Sequence, residues 1–194
     1  MENKTLIDKA IQFASEKHKG ALRKGDGQPY IFHPIEVLGI ASLLTKDEDI
    51  LAASVLHDTI EDAGVTKEEI EKEFNKHVSE LVANESEDKR EGQSREATWK
   101  DRKQEAIDMI KKSKEIGTKI ICLSDKVSNL RSFNRLVLQD EAKAWDNFNM
   151  KDPLMHYWYY KELKEALIDL KDSSVYKEYC FLVDAIFNRY LREK

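Results

Sequence analysis

Apolar residues recur at helical spacing along most of this chain. Leu6, Ile7, Ala10, Ile11, Phe13 and Ala14 fall on one face of a helix predicted over residues 5–19. His33-Pro34 opens a second helix that runs through Leu44, with the proline suited to the first turn. The run Ile50-Leu51-Ala52-Ala53-Ser54-Val55-Leu56 predicts a buried helix over 47–58, closed by Ala63-Gly64. Thr66, with Glu69 three residues on, is a capping box for a helix over 67–75. A short helix follows over 78–83. Helical spacing resumes over 105–112, and 118–130 is a second strongly apolar helix. Further helices are expected near 139–147, 153–171 and 174–192. No strand pattern lasts more than a few residues, so the pattern predicts an all-α fold.

Two stretches break the pattern. Residues 20–32 form a loop rich in turn residues, with Arg23 and Lys24 beside Gly25 and Gly27. A backbone bent tightly around a ligand and an ordinary solvated basic pair fit that loop equally well. Residues 84–104 are the most polar part of the chain, with no apolar periodicity until Trp99. A long loop or lid is expected there, either functional or merely solvated. The aromatic residues crowded beyond Trp145 sit at helical spacing and are expected in the core.

Composition narrows the class. The chain has 194 residues, 41% of them apolar and 36% charged, which suggests one large domain or a tight pair of small ones, with a real core and an ionic surface. Seven glycines and three prolines leave little room for the turns of an all-β fold. The net charge of −5 argues against nucleic-acid binding, so an anionic ligand would need a local basic patch. Cys122 and Cys180 lie in apolar helical contexts and are expected as buried reduced thiols. Neither a signal peptide nor a membrane span is visible, and a cytoplasmic location is expected.

The chemistry concentrates in Leu56-His57-Asp58-Thr59-Ile60-Glu61-Asp62. Burying ionisable groups is costly unless they are paired or coordinate a metal. An apolar helix that ends on this cluster is therefore expected to deliver it to a site. His33 precedes its helix and is oriented by the backbone. Asp125 and Asn129 are four apart in the second apolar helix, hence on one face, flanked by Lys126 and Arg131. A core hydrogen-bond pair and part of a metal site both fit that spacing, and the 57–62 cluster favours the metal. His33, His57, Asp58 and Asp125 make a mixed nitrogen and oxygen ligand set that suits Mn²⁺, Fe²⁺ or Zn²⁺ better than Mg²⁺. Glu61 and Asp62 are then placed to accept the proton of a water acidified by the metal. Arg23, Lys24, Lys89 and Lys126 are available to phosphate oxygens. Metal-dependent phosphohydrolysis follows from these residue types alone. His18 and His77 are expected as solvated or capping residues.

The motifs Arg23-Lys24, Gly27-Gln28-Pro29-Tyr30-Ile31-Phe32-His33-Pro34, the 56–62 cluster and Leu123-Ser124-Asp125-Lys126-Val127-Ser128-Asn129-Leu130-Arg131 resemble, in order and spacing, the HD-domain superfamily of metal-dependent phosphohydrolases. More narrowly they are similar to the hydrolase domain of the Rel/Spo family in its stand-alone form, the small alarmone hydrolases. The resemblance covers most of residues 5–135. It implies an all-α HD-domain helical bundle over residues 1–194, with helices 139–192 packed on the 5–135 core. It also implies a Mn²⁺-dependent guanosine-3′,5′-bis(diphosphate) 3′-pyrophosphohydrolase, which converts ppGpp or pppGpp to GDP or GTP and pyrophosphate and does not make the alarmone. By this resemblance His33, His57, Asp58 and Asp125 hold the metal and Glu61 and Asp62 activate the water. Arg23 and Lys24 border the guanine, Asn129 contacts the sugar, Tyr159 lines the pocket, and Lys89 and Arg102 meet phosphate. Ser128 departs from the histidine common in the long enzymes, and little effect on the metal is expected. The implied partner is a small nucleotide, with no nucleic acid and no membrane, and the oligomeric state is left open.

Two other readings stay in view. The same metal chemistry would serve another nucleotide, such as the 2′-phosphate of NADPH. A non-catalytic alarmone-binding module would not need the acid pair Glu61-Asp62. A purely structural role leaves the buried ionisable cluster without a purpose.

Overall fold

Several helices begin where the sequence supplies a side-chain cap. The computed structural model describes residues 5–191 apart from Asp26, Asp88, Lys89 and Glu91. Helix α1 (Leu6–Lys17) starts at Thr5, whose hydroxyl accepts from the Asp8 amide while the Asp8 carboxylate accepts from the Thr5 amide. Helix α2 (Phe32–Ala41) carries Pro34 in its first turn. Asp47 caps α3 (Glu48–Leu56) by accepting from the amides of Asp49 and Ile50. The short α4 (Thr59–Ala63) stops at Gly64, whose φ of 68° suits a residue without a Cβ. Thr66 accepts from the Glu69 amide at the start of α5 (Lys67–Glu73), and Asn75 caps α6 (Lys76–Glu85).

The second half comprises α7 (Trp99–Lys112), α8 (Ile116–Gln139), α9 (Glu141–Ala144), α10 (Pro153–Ala166) and α11 (Ser174–Leu191), with 3-10 turns at Trp145–Asn147 and Ile168–Leu170. Among the described residues no strand forms. A single antiparallel bridge joins Leu22 to Pro29 in the loop before α2. No described helix is long and apolar enough to cross a membrane.

The long helix α8 organises the packing. It touches α2, α3 and α6 on one side and α9 and α11 on the other. Its Ile120 and Ile121 join a core with Ala14, Leu51, Ala52, Val55, Leu56, Ile70 and Leu81. From Cys122 and Leu123 onward it faces a second core with Ile107, Ile110, Trp145, Leu163, Tyr179 and Phe187. Residues 50–56 of α3 are all buried, as their unbroken apolar run requires. Each such large side chain adds about 1.5–3 kcal/mol on burial. Close packing at the start of α8 is marked by Gly117: a Cβ there would lie 3.0 Å from Ile50 Cγ1 and Leu81 Cδ2.

Several boundaries differ from the sequence expectation. The polar stretch is shorter than 84–104, because α6 continues to Glu85 and α7 already begins at Trp99. Trp99, Arg102, Ile107 and Ile110 form the buried stripe of α7. The polar Arg102 hides that periodicity from a hydropathy reading. Helix α8 runs nine residues past 130, since Phe133 and Val137 extend its buried face. The C-terminal helices break near residues 144 and 166, where 3-10 turns take over.

Candidate metal centre and substrate cavity

Three helix ends and one helix middle meet at the 57–62 cluster. His33 lies in the first turn of α2, His57 directly follows α3, Asp58 is the residue before α4, and Asp125 projects from the middle of α8. The break between α3 and α4 turns His57 and Asp58 toward the same point. His57 Nε2 lies 3.0 Å from Asp58 Oδ2 and 3.7 Å from Asp125 Oδ1. His33 Nε2 lies 3.5 Å and 3.1 Å from the same two oxygens. Donor atoms of His33, His57 and Asp58 all fall within 4.8 Å of one another, and Asp125 closes the group through its contacts with both imidazoles.

Both imidazoles are fixed from behind. His57 Nδ1 is 2.8 Å from the Ser54 carbonyl, which only accepts, so Nδ1 carries a proton. His33 Nδ1 is 2.9 Å from Ser128 Oγ, and that hydroxyl gives its single proton to Glu36 at 2.8 Å. Ser128 must therefore accept, and His33 Nδ1 is protonated too. Both Nε2 atoms are turned into the cluster. His57 Nε2 is buried and makes no hydrogen bond, although Asp58 Oδ2 lies 3.0 Å away. An orphaned buried ring nitrogen with a committed Nδ1 and two carboxylates beside it is a donor set that fits a divalent cation. Ser128 is thus not a bystander. It is three residues from Asp125 and shares its helix face. Behind it, Arg131 bonds Glu36 at 3.1 Å and grips Glu178 of α11 through two nitrogens at 2.6 and 2.8 Å.

The electrostatics of these side chains point the same way. Burial would discharge His57, yet Asp58 and Asp125 hold its pKa well above the ordinary value. Burial would neutralise Asp58, yet His57 and His33 keep its pKa well below the usual carboxylate range. Asp125 is likewise held down against burial, by Lys126 and both histidines. The cluster demands positive charge, which either a proton or a metal ion can supply.

Around it open two adjoining cavities of about 570 and 400 Å³. Glu61, Asp62, Lys126, Asn129 and Tyr159 line both, and Arg23 and Lys24 border the larger one. Asn129 donates to Asp125 Oδ1 at 2.6 Å and accepts from Arg23 at 3.2 Å, so it links the cluster to the basic loop. That loop needs its glycine: Gly25 has φ 99°, and a Cβ there would meet Leu136 Cδ1 at 2.9 Å. Lys126 pairs with Asp125 Oδ2. Arg102 and Lys103 reach the smaller cavity from α7 and both hold Glu87. Lys89 lies outside the described residues.

Sequence reasoning missed several residues here. His18 caps α1 as expected but is buried, not solvated, with its ring 4.9 Å from that of Tyr30. The Tyr30 hydroxyl donates to Asp58 Oδ2 at 2.5 Å, and burial with the Asp58 charge pushes its pKa upward. Burial and the cations Lys126 and Arg102 bring Lys103 down to about 8, despite its ion pair with Glu87. Glu85 carries a buried oxygen without a hydrogen bond, and burial lifts its pKa to about 7. Part of the aromatic set, including Phe148, Tyr159 and Tyr160, walls the larger cavity as well as packing in the core, and Trp99 and Phe133 join it. His77 is at the surface, bonded to Asp49. Both cysteines are free, Cys122 buried and Cys180 half-buried.

Comparison with known proteins now bears on this geometry. The family model described as HD domain matches residues 10–149, a span that contains all four candidate ligands. The chain belongs to the HD-domain family. Within it, the mouse protein named guanosine-3′,5′-bis(diphosphate) 3′-pyrophosphohydrolase MESH1 is 37% identical over 132 residues, covering 65% of this chain and 68% of its own. A GTP pyrophosphokinase of Myxococcus xanthus is 29% identical over 192 residues, covering 97% of this chain. The HD-domain chain spans a quarter of the length of that relative, 25%. A solved structure described as a metazoan orthologue of SpoT that hydrolyses ppGpp superposes with a TM-score of 0.72 at 26% identity, over 98% of both chains. The all-α architecture is thus that of the HD-domain proteins.

Proposed function

We propose that this chain is a divalent-metal-dependent guanosine-3′,5′-bis(diphosphate) 3′-pyrophosphohydrolase. The observation that carries the reading is the orphaned Nε2 of His57, facing His33, Asp58 and Asp125 beside two cavities lined by cations. The names of the MESH1 relative and of the SpoT-like structure support the choice of substrate. His33, His57, Asp58 and Asp125 would hold the metal, and the mixed nitrogen and oxygen set favours Mn²⁺. Bound there, the ion supplies charge to the phosphoryl group and acidity to a water.

The remaining work falls to the chain itself. Glu61 and Asp62, one turn beyond His57 and Asp58, take the proton of the attacking water. A water oxygen–phosphorus bond forms, the phosphorus bond to the 3′-oxygen breaks, and that oxygen leaves with a proton. Lys126, Arg102 and Lys103 draw in the pyrophosphate, and substrate oxygens replace Glu87 at the last two. Arg23 and Lys24 border the guanine, Asn129 holds the sugar, and Tyr159 forms part of the wall. Lys89 stays a candidate phosphate contact on sequence grounds. The proposal also takes residues 1–194 as one HD-type unit acting in the cytoplasm on a free nucleotide.

The test is a panel of ppGpp, pppGpp and NADPH offered to purified protein with Mn²⁺. Pyrophosphate from the two alarmones is expected. Release of phosphate from NADPH alone would move the assignment to another nucleotide. Tight ppGpp binding with no turnover would make the protein a binding module.

A further inference from the structure

The residue that joins the metal cluster to the acid pair is Tyr30, in the loop before α2. Its backbone is pinned: the Tyr30 amide donates to the Ala21 carbonyl at 2.9 Å, and its carbonyl accepts from the His33 amide at 3.0 Å. Its ring lies between the His18 ring at 4.9 Å and the His33 ring at 5.9 Å. Placed so, the phenol reaches the partition between the two cavities. The hydroxyl oxygen is 2.5 Å from Asp58 Oδ2 and 3.2 Å from Asp62 Oδ2.

We propose that Tyr30 is a positioning residue, whose hydroxyl locks the Asp58 carboxylate and the Asp62 carboxylate into one arrangement. A phenol has one proton, so the shorter contact, to Asp58, takes most of it. Asp58 and Asp62 are linked by backbone, with the Asp62 amide bonded to the Asp58 carbonyl at 2.8 Å. Their side chains converge on a single oxygen, and like charges this close repel. The hydroxyl proton lies between them and offsets that repulsion. It aims one oxygen of Asp58 at the histidines and keeps Asp62 within reach of the same point. A phenyl ring would fill the space between His18 and His33 equally well, so the hydroxyl has this separate task.

The kinetic part of this inference rests on the proposed activity, and the binding part does not. Tyr30→Phe retains the ring and deletes the bridge. Calorimetric titration with Mn²⁺ should show an affinity about 10- to 100-fold below wild type, the range for loss of a hydrogen-bond partner of a metal ligand. With ppGpp, kcat should fall by about 10-fold or more while KM changes little. In an Asp62→Asn background the same change should cost little further kcat, since both variants disable one arrangement. Additive losses, a change confined to KM, or an unaltered Mn²⁺ affinity would each overturn the proposal. If wild-type protein binds Mn²⁺ but releases no pyrophosphate, the functional reading fails, and the calorimetry alone decides for or against Tyr30.

Discussion

The two histidines act as a pair because each has its outer nitrogen occupied. Ser54 supplies a carbonyl to one and Ser128 a hydroxyl to the other. In the proposed function the residues divide into those that hold charge and those that move a proton. Asp58→Ala should lose bound metal and activity together, whereas Glu61→Ala should keep its metal and lose rate by about 100-fold, within the usual range for a general base. Metal content by plasma emission, read beside turnover, separates the two. Retained metal in the first variant would contradict the assignment. Lys103 gives a pH signature. Its pKa of about 8 means it is charged below that pH and neutral above it. kcat/KM for an anionic substrate should therefore decline as pH rises through 8. Lys103→Arg, which stays charged, should remove that decline. Identical profiles would show that Lys103 does not meet the substrate.

At the scale of elements, α8 matters most, since it carries Asp125, Lys126, Ser128 and Asn129 on a rod packed from both sides. Its entry is tight. Gly117→Ala would press a methyl on Ile50 Cγ1 and Leu81 Cδ2, both held in the core. The gain in helix propensity should be outweighed, leaving a net loss of about 1–2 kcal/mol in denaturant unfolding. An unchanged midpoint would mean that this end of α8 can shift. Much of this element was legible beforehand, because its apolar run and the Asp125–Asn129 spacing are local signals. The same holds for α3 and its cargo, His57 and Asp58. What stayed hidden depends on contacts across the chain. Tyr30 is 28 residues from Asp58, and nothing near it marks its hydroxyl as a partner. Ser128 reaches His33 and Glu36 from another part of the chain, and no local spacing shows that contact. The start of α7, before residue 105, was hidden because Arg102 occupies a buried position that an apolar residue usually fills.

Over the whole molecule, the site is built from segments that only the tertiary fold brings together. Its far wall includes Phe148 and Tyr159, and Arg131 ties the support behind His33 to Glu178 in α11. Folding and metal binding should therefore be coupled. At 100 times its dissociation constant, a metal that binds only the folded chain adds about 2.7 kcal/mol, or a rise in Tm of roughly 5–10 °C for a chain of this size. Differential scanning calorimetry with and without chelator checks this, and an equal Tm would place the metal away from the folded cluster. The central claim concerns chemistry, and product analysis reaches it most directly. Purified protein incubated with ppGpp and Mn²⁺ should yield one pyrophosphate and one GDP per alarmone consumed, and none after chelation. Release of single phosphates, or turnover that survives chelation, would contradict it.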